Sequence, residues 1–213
     1  ARRAAGAGGA GRDDSRGEGA GVIWRLSHRA DPAARLLADR HYNRQKPGTS
    51  QFVPPGRCIV LLADKPASAF WITSWPFAEY VKHAWAGAWV CSAFRRESGP
   101  LASDMIREAT AVTRWRWPDV PPLGMVTFVD PDKTRRKRDP GRCFLRAGFV
   151  PARCPAHWLV EQRDECAACR SETKGGLVAL QLLPDAMPLA ELPIGASSSI
   201  FDSAMTRGVK VTT

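Results

Sequence analysis

The sequence predicts one α/β domain with a mixed, partly parallel, twisted sheet flanked by helices. Short runs of β-branched and aromatic residues alternate with segments of helical period. One helical segment stands between two apolar runs, which is typical of a β-α-β unit with parallel strands. The 213 residues suit one domain, and 44% hydrophobic with 24% charged residues is a globular composition.

Helix and turn signals delimit the first half of this domain. Asp31 followed by Pro32 predicts the start of a helix that extends to His41. The following stretch, 42–56, is too rich in Pro and Gly for regular structure. Three strands should follow, over residues 58–62, 69–75 and 88–94.

The second half begins with a helical period over residues 101–117. Pro100 should occupy the first helical position, and Pro118 should end the helix. Next come a strand over 124–129 and a short helix over 140–147 that Gly148 ends. Further strands should begin at Phe149 and Gly176, the latter reaching Leu183. The apolar positions of the long helix recur at spacings of three and four: Leu101, Met105, Ala109 and Val112.

The two ends of the sequence differ from its centre. Residues 1–21 contain Gly, Ala, Arg and acidic residues with no aromatic or β-branched residue to bury, so we expect a disordered segment. The folded domain should span 22–184, and 185–213 should form a flexible tail, since its apolar residues show no period.

The net charge of +10 predicts a surface that attracts phosphates, nucleic acid or CoA, although an ordinary solvated surface would give the same charge. No apolar run approaches the roughly 20 residues that a transmembrane helix needs, and no signal peptide is visible. We therefore expect a cytoplasmic protein with no membrane partner. The scattered Cys58, Cys91 and Cys143 should be small buried residues rather than members of a disulfide framework.

Three segments carry a resemblance to a known superfamily. They are the strand–turn–helix junction 94–102, the strand with its acidic end 125–130, and the helix-to-strand segment 141–149. Together, over roughly residues 30–184, they resemble the GNAT superfamily of acyl-CoA-dependent N-acyltransferases. The resemblance implies acetyl-CoA or another acyl-CoA as cofactor. It implies an amine acceptor, which would be a small molecule, a protein or a nucleic-acid base.

The junction before the long helix is the expected phosphate site, because a helix N-terminus offers free N–H groups and a positive dipole. In GNAT proteins this turn has the pattern Arg/Gln-x-x-Gly-x-Gly/Ala. Here Arg96 and Gly99 match, whereas Leu101 departs; Pro100 and Asp104 weaken the site. The alternative is an ordinary helix start with two exposed arginines. The resemblance implies the following cofactor contacts: Arg95, Arg96, Ser98, Gly99, Leu101, Ala102, Val129, Arg142 and Phe144.

The acyl group of GNAT proteins enters between this strand and the next, which would end at Val129. Asp130 follows at the carboxyl end of that strand and could orient or deprotonate an amine. Alternatively, Asp130 caps a turn before Pro131. The other candidate general bases by residue type are His41, Tyr42, Glu97 and His83.

The segment His41-Tyr42-Asn43-Arg44-Gln45-Lys46-Pro47 resembles the HY-x-R-x-x-P stretch of Mom-type phage proteins, which modify adenine in DNA. This resemblance implies a DNA base as acceptor, with Tyr42 and Arg44 near it. The run 133–146 holds seven Lys or Arg against one acid and should contact phosphates, unless it is a solvated loop. Its candidate anion-binding residues are Lys133, Arg135, Arg136, Lys137 and Arg138.

A cysteine–histidine cluster suggests a structural zinc site. Two pairs with two-residue spacing, separated by eight residues, can direct four soft ligands toward one metal ion: Cys154, His157, Cys166 and Cys169. Free thiols are the alternative. A non-catalytic nucleic-acid-binding protein with a zinc knuckle is therefore an alternative to the enzyme.

Overall fold

A computed structural model describes residues 23–63, 67–81, 84–134, 139–152 and 176–196. Within these residues seven strands form one sheet, and three α-helices pack against it. The strands are β1 (Trp24–Ser27), β2 (Arg57–Ala63), β3 (Ala69–Trp75), β4 (Trp89–Arg96), β5 (Met125–Val129), β6 (Val150–Pro151) and β7 (Val178–Leu182). The helices are α1 (Pro32–Asp39), α2 (Ala102–Arg116) and α3 (Arg142–Arg146), with short 3₁₀ turns at Ala78–Tyr80 and Pro184–Ala186.

The strand order is β1-β2-β3-β4-β5-β7-β6. β4 and β5 are parallel, with α2 as the crossover between them, and the other neighbouring strands are antiparallel. The predicted mixed α/β fold with a partly parallel sheet is thereby confirmed.

The helix starts follow local chemistry. Asp31 caps α1, because its Oδ1 accepts hydrogen bonds from the N–H groups of Ala33 and Ala34 at 2.8 and 3.3 Å. The helix ends at Asp39, two residues earlier than predicted. α2 begins at Ala102, so the expectation that Pro100 occupies its first position is wrong. Residues 97–101 form the turn between β4 and α2, and Gly99 within it has φ +94°, a conformation that glycine adopts readily and that does not continue into a helix.

Each face of the sheet is covered by different helices. Leu37 and Ala38 of α1 pack against Val60, Leu62 and Phe70 on one face. α2 and α3 cover the other face over a second cluster of buried residues, among them Trp71, Trp89, Met105, Ile106, Val112 and Phe144. Burying a Leu or Phe side chain contributes about 1.5–3 kcal/mol, so both layers stabilise the central strands.

Residues 185–196, which we expected to belong to a flexible tail, lie along the domain. Met187 is buried, and Pro188 accepts a hydrogen bond from Arg114 at 3.1 Å. Further along, the Ile194 N–H donates to the Trp24 carbonyl of β1 at 2.8 Å. Isolated hydrogen bonds hold the backbone of this segment, which is neither a helix nor a strand of the sheet. Its sequence therefore shows no hydrophobic period that would have predicted an ordered segment.

None of the helices in the described ranges is long and apolar enough to cross a membrane.

Candidate functional site

The parallel pairing of β4 with β5 stops well before β4 ends. It covers three residue pairs, from Trp89↔Met125 to Cys91↔Thr127. β4 continues to Arg96 and β5 to Val129 without pairing to each other. The facing edges of residues 92–96 and 128–129 are called the β4–β5 gap below.

A β-bulge lies where the gap begins. Ile72 of β3 is opposite Ala93, whereas Thr73 is opposite Cys91, so Ser92 is an extra residue in β4. A bulge bends its strand and increases its twist. The bulge therefore explains why β4 leaves β5 at this point.

His41 and Tyr42, which follow α1, span this gap. Their rings stack with centroids 4.5 Å apart, and His41 also meets the Phe70 ring edge-on at 6.1 Å. His41 hydrogen-bonds the backbone of Phe94 in β4, and Tyr42 hydrogen-bonds the backbone of Asp130 after β5. The dipeptide thus contacts both of the separating strands.

The imidazole of His41 is neutral at neutral pH. Burial lowers its pKa from 6.5 to about 4, and the charge of Arg95 acts in the same direction. The hydrogen bond to Phe94 opposes this shift, so that partner must be the carbonyl, which accepts from the ring. The other nitrogen, Nδ1, accepts from the Asn43 N–H at 3.2 Å. His41 is accordingly a weak base whose two nitrogens already have partners.

Tyr42 remains protonated for a related reason. Burial of its hydroxyl raises the pKa of Tyr42, and the nearby Cys91, Asp130 and Cys143 raise it further. The hydrogen bond to the Asp130 backbone lowers the pKa but does not cancel the rise. Although 41% of the residue surface is exposed, its hydroxyl lies near enough to Cys91 and Cys143 for both to raise its pKa. Tyr42 is therefore suited to donate a hydrogen bond or a proton inside the gap.

Cys91 is not suited to be a nucleophile. Its side chain is buried in the core below the gap, and burial raises the pKa of the Cys91 thiol far above its usual range. Burial raises the pKa of Cys143 as well. Both residues stay as thiols, and nucleophilic chemistry needs the thiolate.

Asp130 is part of a tight turn. Its Oδ1 accepts from the N–H groups of Asp132 and Lys133 at 3.0 and 3.3 Å, and Lys133 Nζ lies 3.2 Å from Oδ2. Burial alone would raise the pKa of Asp130, but the hydrogen bonds from Lys133 and from these backbone groups lower it below its ordinary value. Asp130 thus stays ionised, and it also pairs with Lys133, one of the predicted anion contacts.

Glu97 is paired with two arginines. Arg40 Nε and Nη2 donate to its two oxygens at 2.6 and 2.8 Å, and Arg95 Nε donates at 2.9 Å. The hydrogen bond from Arg40 is the largest cause that lowers the pKa of Glu97. A carboxylate held in this way is a poor proton acceptor. Arg95 also donates to the Arg40 carbonyl, so two of its five N–H donors are used within the protein.

The N-terminus of α2 has the features expected of an anion site. No side chain caps it, and Gly99 forms the turn before it. Arg96 is exposed and makes no ion pair with another described residue. Asp104 in the first turn pairs with Arg107 at 2.5 Å, which offsets its charge. Ser98, Gly99 and Leu101 are exposed in the same turn, and Ala102 opens the helix.

A cleft of about 730 Å³ opens beside His41 on the α1 face of the sheet. Its apolar wall includes Phe52, Phe70 and Ile72, and the bulge residue Ser92 also lines it. Polar side chains of the loop after α1 line the rest, among them Asn43, Gln45, Lys46, Thr49, Ser50 and Gln51.

Arg44 holds this loop in shape. Its Nε donates to Asp39 at 2.7 Å, and its other nitrogens donate to the carbonyls of Gln51 and Thr49 at 2.6 and 2.7 Å. Asp39 in turn accepts from the Gly48 N–H at 3.0 Å. Only 10% of the Arg44 side chain is exposed. Arg44, predicted to lie near a nucleic-acid base, lines the cleft and braces its loop.

The other predicted residues lie in different surroundings. Phe144 is buried between the rings of Trp71, Phe94 and Phe149, so its side chain is part of the core. Val129 is also buried, whereas Arg142 is exposed and pairs with Asp139 at 3.2 Å. The remaining candidates lie outside the described residues: His83, Arg135, Arg136, Lys137, Arg138, Cys154, His157, Cys166 and Cys169. In the described ranges no cluster of three or more His, Cys, Asp or Glu could hold a metal.

Sequence reasoning missed two contributors to the site, Arg40 and Ser92. Arg40 joins the end of α1 to the turn after β4 through Glu97. Its only signal in the sequence is its position next to His41. Ser92 has no signal, since a bulge depends on the register of the neighbouring strand.

No protein-family model matches the chain, and searches of curated proteins and of solved structures each found no match.

Proposed function

We propose that the protein is an acyl-CoA-dependent N-acyltransferase of GNAT type. The observation that carries this proposal is the β4–β5 gap, which lies at the same end of the sheet as the uncapped start of α2 and has the Tyr42 hydroxyl inside it. Such a gap offers an extended ligand those backbone N–H and C=O groups of the two strands that His41 and Tyr42 do not already occupy, beside a helix terminus that favours phosphate.

The residues around the gap fit an acyl-CoA. Arg96, Gly99 and the first N–H groups of α2 would hold phosphate, and the backbone edge of residues 92–96 would bind the amide-containing arm. Arg95 fits less well, because its Nε and Nη1 already donate hydrogen bonds to Glu97 and to the Arg40 carbonyl. When bound, the thioester supplies an electrophilic carbonyl carbon and a sulfur leaving group.

Tyr42 is the residue best placed to manage protons in this reaction. As the acceptor nitrogen forms its bond to the carbonyl carbon and the carbon–sulfur bond breaks, Tyr42 gives its proton to the sulfur. It then takes a proton from the acylated nitrogen, so the protons balance without a separate base. His41 orients Tyr42 by ring stacking and keeps its own neutral form. Glu97 and Asp130 stay ion-paired and shape the surroundings.

Calorimetric binding of acetyl-CoA tests the cofactor site. We expect micromolar binding by the wild type and a loss of at least about tenfold in Arg96→Ala, since one direct phosphate contact of this kind is worth about 1.5–3 kcal/mol. Arg116→Ala, an exposed arginine at the other end of α2, is the matched control and should bind normally. Absence of binding at millimolar acetyl-CoA would refute the proposal.

Tyr42→Phe separates binding from chemistry. The variant keeps the ring and its stacking on His41 but lacks the hydroxyl, so acetyl-CoA binding should persist. Hydrolysis or transfer, followed as release of free CoA thiol with an amine library, should fall about 100-fold or more. Equal rates in the two proteins would remove Tyr42 from the mechanism.

A second candidate function is DNA adenine modification of Mom type, and the cleft beside His41 favours it. The wall formed by Phe52, Phe70 and Ile72 suits a flat base, and amides such as Asn43 and Gln51 could read its hydrogen-bonding edge. The test is to incubate the protein with acetyl-CoA and DNA, digest the DNA to nucleosides and measure their masses by mass spectrometry. A heavier deoxyadenosine that Gln51→Leu diminishes would support this acceptor. Unmodified nucleosides, with amine acylation intact, would exclude it.

A further inference from the structure

Arg57, at the start of β2, is held between two aromatic rings. Its guanidinium carbon lies 4.3 Å from the ring centre of Trp75 and 5.4 Å from that of Trp117. The rings are themselves fixed, because Trp75 packs on Trp117 at 5.5 Å and donates a hydrogen bond to the Gly87 carbonyl at 3.2 Å. The cation is therefore oriented by its surroundings.

The charge of Arg57 is oriented but not neutralised. The residue is exposed, and its guanidinium makes no ion pair or hydrogen bond with any other described residue. Aromatic contacts hold the plane of a guanidinium while its N–H groups at the edge stay available. A planar donor of this kind matches the oxygens of a phosphate.

Two exposed aromatic residues follow the same strand end. Phe77 is 61% exposed and Tyr80 is 75% exposed, and both lie in the turn after β3. Their ring centres are 6.4 Å apart at an interplanar angle of 78°, so the rings meet edge to face and do not cover each other. Because Arg57 pairs with Trp75 in the β2–β3 ladder, this turn begins close to the guanidinium.

We propose that Arg57, Phe77 and Tyr80 bind single-stranded nucleic acid, and we call them the Arg57 surface. Arg57 would contact a phosphate, and unpaired bases would stack on Phe77 and Tyr80. The protein's net charge of +10 favours a polyanionic partner over an acidic peptide of few charges. Stacking needs bases that are not already paired, so the surface selects single strands over duplex.

This surface is separate from the β4–β5 gap. β3 runs from Ala69, opposite Arg96, to Trp75, so the two sites lie at opposite ends of the sheet. A seven-residue strand spans about 20 Å. The inference does not depend on the proposed acyl transfer, and its variants should still bind acetyl-CoA if that proposal is correct.

Fluorescence anisotropy with a labelled oligothymidine of about 12 nucleotides tests the surface, a length within the usual range of single-strand sites. We expect Phe77→Ala and Tyr80→Ala each to weaken binding about 5- to 100-fold, as loss of one stacked base does. Arg57→Gln should weaken binding and reduce the slope of log affinity against log salt by about one. Glu79→Gln should strengthen binding, because an exposed carboxylate between the two aromatics is removed.

Matched controls distinguish this site from general basic attraction. Leu189→Ala changes an 80% exposed apolar residue elsewhere, and Arg107→Gln removes an exposed arginine of α2 outside the basic run 133–146. Both variants should bind like the wild type. All substituted side chains of the surface are exposed, so thermal unfolding should be nearly unchanged. Binding that is unaffected by the Phe77 and Tyr80 substitutions would overturn the proposal. So would equal competition by duplex DNA, by inorganic phosphate or by an acidic peptide.

Discussion

Acid should weaken the folded state through His41. In the folded protein its pKa is about 4, whereas the unfolded chain has the ordinary value of 6.5. Between these two values the unfolded state binds a proton that the folded state does not, so stability falls as pH falls from 6.5 toward 4. At about 1.4 kcal/mol per pH unit, the full loss approaches about 3 kcal/mol, and about 2 kcal/mol of it falls between pH 7.5 and 5.

Urea unfolding of wild type and His41→Gln at several pH values isolates this contribution. Gln keeps one acceptor and one donor but does not titrate, and every other ionisable group is shared by the two proteins. The difference in unfolding free energy between them should therefore shrink by about 2 kcal/mol from pH 7.5 to pH 5. A difference that stays constant within about 0.5 kcal/mol would refute the reasoning, because His41 would then titrate alike in both states.

Three further experiments test the packing of the domain and of the cleft loop. Gly124→Ala would place a Cβ 2.1 Å from a backbone oxygen of β7, whereas the Cβ of Gly176→Ala, at the same φ of +63°, would meet nothing within 4 Å. In urea unfolding, Gly176→Ala should lower the free energy of unfolding by about 1–2 kcal/mol, and Gly124→Ala should lower it by more. Leu37→Ala should lower the free energy of unfolding by about 2–5 kcal/mol, because Leu37 is buried. Leu36→Ala, at the neighbouring residue that is 54% exposed, should lower it by less than about 1 kcal/mol. Equal losses would contradict the packing described. Arg44→Lys replaces a guanidinium that donates to acceptors of three residues with one ammonium, so limited proteolysis should cut the cleft loop faster. An unchanged rate would mean that Arg44 does not brace the loop.

Much of the fold could be predicted because its signals are local. Asp31 with Pro32 marks a helix start, because the Asp31 carboxylate can accept from the first N–H groups of the helix, and the bonds from Ala33 and Ala34 form as expected. The strands β2 and β3 each contain a continuous apolar run, 58–63 and 69–72, since both of their faces are buried there. The parallel β4–β5 pair followed from connectivity alone, because a crossover helix can return the chain only in that direction.

Features that depend on distant partners could not be predicted. β1 is four residues long and has one buried residue at its first position, which is too little for a strand pattern. Trp24 becomes informative only when its indole N–H donates to the Met105 carbonyl of α2 at 2.8 Å. The bulge at Ser92 likewise needs the register of β3.

The candidate site shows the same division. The sequence indicated His41 and Tyr42 by residue type, yet their contacts with Phe94 and Asp130 depend on where two strands separate. Arg44 and Glu97 have the residue types of binding and catalytic groups. Both are structural in the folded protein, since Arg44 pairs with Asp39 and Glu97 pairs with Arg40. The sequence alone does not reveal these pairs, because the partners come together only when the chain folds.

The position of β7 between β5 and β6 affects how the chain folds during its synthesis. Among the described strands β7 comes last in the sequence, yet it is an interior strand of the sheet, and β6 pairs with it rather than with β5. About 50 residues separate the end of β5 from the start of β7, which at typical rates of synthesis is roughly 3 to 10 s. During that interval the nascent chain carries β5 with one open edge, a surface on which chaperones would be expected to act.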